Sequence, residues 1–232
     1  MEACRRRGLL VLTTWAWTFV GSALAALALA LAGGAPPTFE GVASLLEGRP
    51  YLASYLEVVG VGALPLASSL LCRDEPELYG LRREGLARSV ALSVLLLAPW
   101  LVPEAVALLR GRSEYRSFGL GFPYNLWYAL LGVFAYGPLE AFFVVWLVVN
   151  TDIALGSSER RISPGLVATA LAFGLSHLVL SPQAGALNAL SVALEFFLLG
   201  LVFKYTGNSA GPMVAWTLTN GQVLRLAMGC LK

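Results

Sequence analysis

Charged residues punctuate this chain at long intervals, and the apolar runs between them set its elements. No charge occurs from Gly8 to Thr38, a stretch longer than the roughly 20 residues that cross a hydrocarbon core. A second run covers about Tyr51–Cys72 and is broken by Glu57. The third, about Ser89–Leu109, contains Pro99, Pro103 and Glu104, and the long fourth, about Phe122–Val149, holds Gly137, Pro138 and Glu140. Runs at about Pro164–Leu180, Ala184–Phe203 and Ala210–Met228 complete the series. The pattern predicts an all-α, polytopic transmembrane helical bundle of about seven to eight spans, the eighth arising if the fourth run divides. The first run, behind Arg5, Arg6 and Arg7, also has the flanks of a signal peptide. A signal peptide's apolar stretch is only about 7–15 residues, so the length here favours a span.

Composition agrees with that pattern. Hydrophobic residues make up 57% and charged residues 13%, against about 45–50% and about 25% in soluble domains. Disorder, a nucleic-acid binder and a disulfide-rich secreted scaffold are excluded on these grounds. Three cysteines, Cys4, Cys72 and Cys230, lie far apart without a CxxC pair and signal neither a zinc knuckle nor a disulfide framework. The longest polar connection, Arg73–Arg88, is short and mixed in charge, so residues 1–232 read as a single integral membrane domain. Arg5, Arg6, Arg7, Arg73, Arg82, Arg83, Arg88, Arg160, Arg161 and Lys204 fall on the N-terminal side of the bundle, against six basic residues on the other. That bias predicts a multi-pass protein of the cell membrane with its N-terminus in the cytoplasm.

An ionisable group at bilayer depth is costly and by default functional. Glu57, Glu104, Glu140, Glu195 and His177, the chain's one histidine, are such groups, and Asn220 adds an amide. At 1.5 Å per residue, Glu140 lies about 15 Å from the helix end near Asn150, His177 about 20 Å from Pro164 and Asn220 about 18 Å from Asn208. Three spans therefore bring a carboxylate, an imidazole and a carboxamide to nearly one depth. Pro138 has no N–H for the Phe134 carbonyl and predicts a kink just before Glu140, while Gly174 and Ser176 permit close approach of another helix. Glu195 reads more simply as a group hydrogen-bonded to a neighbouring helix, and Glu57 and Glu104 lie N-terminal to the other candidates, with Arg225 a partner for one of them or snorkelling to the interface. Trp15, Trp17, Trp127 and Tyr128 read as interfacial belts.

Phe173-Gly174-Leu175-Ser176-His177 has the form F-x-x-x-H. Gly137-Pro138-Leu139-Glu140 precedes it, and Lys204-Tyr205-Thr206-Gly207-Asn208, Pro212 and Asn220 follow. In order and spacing these segments resemble the three motifs of the CPBP family, the CAAX proteases and bacteriocin-processing enzymes, over a core of residues 122–222. The resemblance implies an intramembrane endopeptidase acting on membrane-associated or prenylated polypeptides. Glu140 would activate water, His177 would orient it or stabilise the tetrahedral intermediate, and Asn220 would donate to the oxyanion. Phe173 and Trp216 would contact substrate. The sequence departs from the family at Ala141, Val145 and Trp216, which stand where the motifs carry a glutamate, an arginine and a histidine. Joint loss of an acid and its cation is often neutral, but an indole offers one N–H donor and neither a ligand nor a base.

A catalytic zinc takes three protein ligands, and only Glu140 and His177 qualify, so no cofactor is expected, a divalent metal being the lesser alternative. The expected partners are the lipid bilayer and a membrane-associated peptide or protein substrate, with no nucleic acid. Two other readings stand beside the protease: a catalytically inactive relative that binds or scaffolds membrane partners, and a small transporter or channel, the latter without support from internal repeats.

Overall fold

The computed structural model describes residues 6–110, 121–180, 185–220 and 223. These residues form helices and connections without a strand. Helix α1 spans Arg7–Gly33 and α2 Phe39–Gly48. Helix α3 spans Ala53–Cys72 and α4 Leu86–Leu109. Helix α5 spans Tyr124–Ala154 and α6 Pro164–Leu180. Helices α7, Gly185–Thr206, and α8, Ala210–Thr219, follow. Five of them, α1, α3, α4, α5 and α7, are long and apolar enough to cross a membrane, and α6 is a shorter apolar helix. The long fourth run is one continuous rod of 31 residues.

Local chemistry fixes the ends. Thr38 accepts the Gly41 N–H at 3.1 Å and caps α2. Ser163 does the same for Leu166 at 3.1 Å, with Pro164 next to it at the first helical position, where a missing N–H costs nothing. Gly34, at φ 68°, closes α1 by turning left-handed.

Two of the rods contain a π-helical turn, Val58–Gly62 in α3 and Ala135–Leu139 in α5. The second includes Pro138. The expected kink thus takes the form of a widened turn, which absorbs the absent N–H without ending the helix.

The core is the second half of α5. Residues Glu140 to Val148 are all buried, and Phe143, Trp146 and Leu147 have no exposed surface. A helix apolar on every side has to be surrounded, and α1, α6, α7 and α8 surround it. The small residues of α6 act as the sequence predicts: a methyl group at Gly174 would collide with the Ala189 carbonyl and the Ala193 side chain of α7. Tyr128 is 3% exposed and Trp15 packs edge-on against Phe143 at 5.6 Å. Both pack within the bundle rather than in the expected belt, Trp15 through that ring contact. Trp127, donating to the Tyr55 hydroxyl at 3.0 Å, does sit at the bundle's end.

Polar side chains tie the helix ends together on one face. Arg7 grips Asp74 through both guanidinium nitrogens at 2.7 and 2.8 Å and also donates to Asn150 at 2.8 Å. Lys204 pairs with Asp152 at 2.9 Å, and Asn208 donates to the carbonyls of Arg82 and Glu84 at 2.6 and 3.0 Å. These contacts gather the start of α1, the end of α3, the start of α4, the ends of α5 and α7 and the start of α8. Cys72 on this face is disulfide-bonded. This corrects the reading of the three cysteines as signalling no disulfide, which rested on their spacing along the chain alone.

Candidate intramembrane site

Glu140 is the first residue beyond the π turn of α5, and 7% of it is exposed. Its Oε2 accepts the Trp216 Nε1–H at 2.7 Å, which links α5 to α8. Close packing makes that bond possible: a Cβ at Gly137 would run into Thr217, so only glycine lets α8 lie against the π turn. The Glu140 Oε1 takes no hydrogen bond from the described residues. No described cation pairs with Glu140 either; the ion pairs among the described residues are Arg7–Asp74 and Lys204–Asp152.

An aromatic ladder runs away from this bond. Trp216 lies 4.4 Å from Phe196 between ring centroids, Phe196 lies 4.6 Å from Phe173, and Phe173 lies 5.2 Å from the His177 ring. The His177 Nδ1 sits 3.0 Å from the Phe173 carbonyl of its own helix. A carbonyl only accepts, so Nδ1 carries a proton and Nε2 is the nitrogen left for other work. No hydrogen bond joins His177 to Glu140 among the described residues, and the rings of Phe173 and Phe196 intervene. Asn220 follows the last residue of α8, its backbone N–H bonded to the Trp216 carbonyl at 3.0 Å. The structure therefore joins Glu140 to Trp216 directly and joins Phe173, Trp216 and His177 through ring contacts. Residues 221 and 222, the end of the resembling core, lie outside the described residues, as do Arg225 and the side chain of Glu104.

Two acids emerge with larger places than the sequence assigned. Glu57 stands immediately before the π turn of α3, as Glu140 stands immediately after that of α5. The two π turns pack on each other, with Gly62 against Leu139. The available signal was a repeated local pattern, a glutamate adjoining a glycine-containing segment in both spans. Glu195 is 5% exposed and accepts from Ser191 at 3.0 Å. Ser191 in turn accepts the Trp100 Nε1–H at 2.7 Å, which draws α4 and α7 together.

Chemically, the site offers a carboxylate oriented by one neutral donor, with one oxygen uncommitted. Among the described residues, no group of three or more His, Cys, Asp and Glu side chains is placed to hold a metal ion. The chain matches no family model, no curated protein and no solved structure.

Proposed function

We propose that the chain is an intramembrane endopeptidase of the CPBP, or CAAX prenyl protease, type, with Glu140 activating the attacking water. The observation that carries this reading is Glu140 itself: a buried carboxylate with no cation partner among the described residues, held by the Trp216 N–H through one oxygen and leaving the other to accept a proton from water. A positioned carboxylate in a low-dielectric site suits a general base. Trp216 then serves as the group that aims the base, which is the one service an indole donor offers. His177, through Nε2, and Asn220 supply the stabilisation of the oxyanion, and Phe173 and Trp216 wall the substrate channel. Substrates are membrane-associated polypeptides, including prenylated tails.

The same proposal takes seven spans. Helix α6, at 17 residues, extends about 26 Å, close to the hydrocarbon thickness of about 30 Å. The segment opened by α8 is the seventh. The face carrying Arg7, Arg82, Arg88, Arg161 and Lys204 lies in the cytoplasm, which sets the N-terminus inside the cell membrane.

A second reading has its own support. Among the described residues, the hydrogen bond and the ring contact of His177 both go to Phe173 of its own helix, and Trp216 occupies the motif position of a histidine, so a non-catalytic binding or scaffold module also fits. Proteolysis in liposomes separates the two. Cleavage of prenylated or unmodified peptides that is lost in both Glu140→Gln and His177→Ala supports the enzyme. Cleavage that survives both variants removes these roles, and no cleavage by a folded wild type favours the scaffold.

A further inference from the structure

Three arginines from three separate segments converge at the end of α7 on the basic face. The Arg88 guanidinium, on the first turn of α4, lies 4.5 Å from the centroid of the Tyr205 ring and donates to its hydroxyl. Arg161, in the connection before α6, lies 5.3 Å from the same centroid. Arg82 donates through Nε to the Gly207 carbonyl at 2.7 Å, two residues further on. All three arginines are exposed, and Tyr205 is half-exposed. Glu84 and Glu159 are the acids nearest in sequence, and neither forms an ion pair with them among the described residues. Guanidiniums sharing one ring repel each other unless an anion lies between them. The planar fork of each is suited to phosphate oxygens.

We infer that Arg88, Arg161 and Tyr205, with Arg82 beside them, form a binding site for the headgroup phosphodiester of an anionic phospholipid in the leaflet at this face. The place fits the ligand. The three residues stand where α4, α6 and α7 start or end, at the level of the headgroups, with the exposed Leu81, Leu86 and Ile162 beside them for the acyl chains. A cytoplasmic leaflet carries negative surface potential and attracts juxtamembrane arginines. Tyr205 aligns the two guanidiniums by cation–π contact, so the phosphate meets them already positioned. This inference is independent of any peptidase activity.

The test uses the full chain in detergent micelles, mixed with phosphatidylglycerol or phosphatidylcholine of identical acyl chains, with retained lipid read by native mass spectrometry. Phosphatidylglycerol is expected to be retained in preference to phosphatidylcholine. R161Q, whose side chain lies over the Tyr205 ring, should weaken retention about fivefold, and R88Q/R161Q about 25-fold, a factor of about five for each arginine removed near the surface. R49Q, at the opposite end of the bundle, should leave it unchanged. Equal retention of the two lipids, an equal loss in R49Q, or displacement of phosphatidylglycerol by excess inorganic phosphate would each overturn the assignment, the last by showing a site for a free anion.

Discussion

At the basic end of the bundle, each aspartate has a cation: the buried Asp152 holds Lys204 at 2.9 Å and the half-buried Asp74 holds Arg7 at 2.7 Å. Halfway along the same helices, Glu140 and Glu195 are buried too, yet among the described residues the groups that bond to them are neutral, the Trp216 indole and the Ser191 hydroxyl among them. Opposite charges at helix ends offset each other's desolvation and fasten one helix to the next, which is all a fold needs. A carboxyl group partnered only by neutral donors does not offset that cost. Its retention in the membrane points to use rather than architecture.

The largest expected effect tests the structural side of that contrast. Asp152 is 1% exposed and satisfies Lys204, the Ser157 hydroxyl and the Gly165 N–H together. Asp152→Ala should cost about 3–5 kcal/mol in denaturant unfolding from micelles, because it strands a buried ammonium. A loss below about 1 kcal/mol would show the pair to be solvated and the contrast with Glu140 to be smaller than argued.

Next in size is Trp216→Phe, which keeps the ring stack on Phe196 and removes only the N–H. It should cost about 1–3 kcal/mol, the penalty of a buried acceptor left without its donor. Replacing both partners, as in Glu140→Leu with Trp216→Phe, should recover most of that loss, since two apolar groups leave nothing unsatisfied. A double variant as unstable as the sum of its parts would mean the bond is incidental to the packing.

The sharpest separation between stability and use comes from Glu140→Gln. An amide oxygen still accepts the indole N–H, so the unfolding free energy should move by less than about 1 kcal/mol, while peptide cleavage should disappear. Large destabilisation would return Glu140 to the structural class occupied by Asp152.

How much of this was legible beforehand follows the range of each interaction. The spacing of charges marked the long helices, and Gly174 and Pro138 announced a close helix contact and an irregular turn, because those signals are local. Glu140 was legible as an acid at depth. Its partner was not: Trp216 reads as a lost histidine until α8 is seen lying against Gly137. Glu57 and Glu195 were visible as intramembrane acids, and Ser191, four residues before Glu195 on one helix, was within its reach by spacing, but nothing along the chain tells that the π turns beside Glu57 and Glu140 pack on each other or that Trp100 reaches Ser191. Those two contacts join segments about 80 to 90 residues apart and are fixed by helix packing alone.

The smallest effect returns to the basic end. The bidentate Arg7 guanidinium, followed by the Tyr79 hydroxyl at 2.6 Å, holds the Asp74 carboxyl below its ordinary value of 3.8, against the opposing pull of burial. A depressed folded-state value means that the unfolded chain takes up a proton first as the pH falls. Asp74 therefore contributes its stability fully above its ordinary value and loses it progressively as the pH drops through the lower folded value. Thermal unfolding in micelles between about pH 5 and pH 2 should show a decline that Asp74→Asn flattens. Near neutral pH the same substitution removes the charge partner of Arg7 and should lower the unfolding temperature. An acid limb unchanged in Asp74→Asn would assign the decline to other carboxylates, and would leave Asp152 as the one acid at this end whose charge holds the helices together.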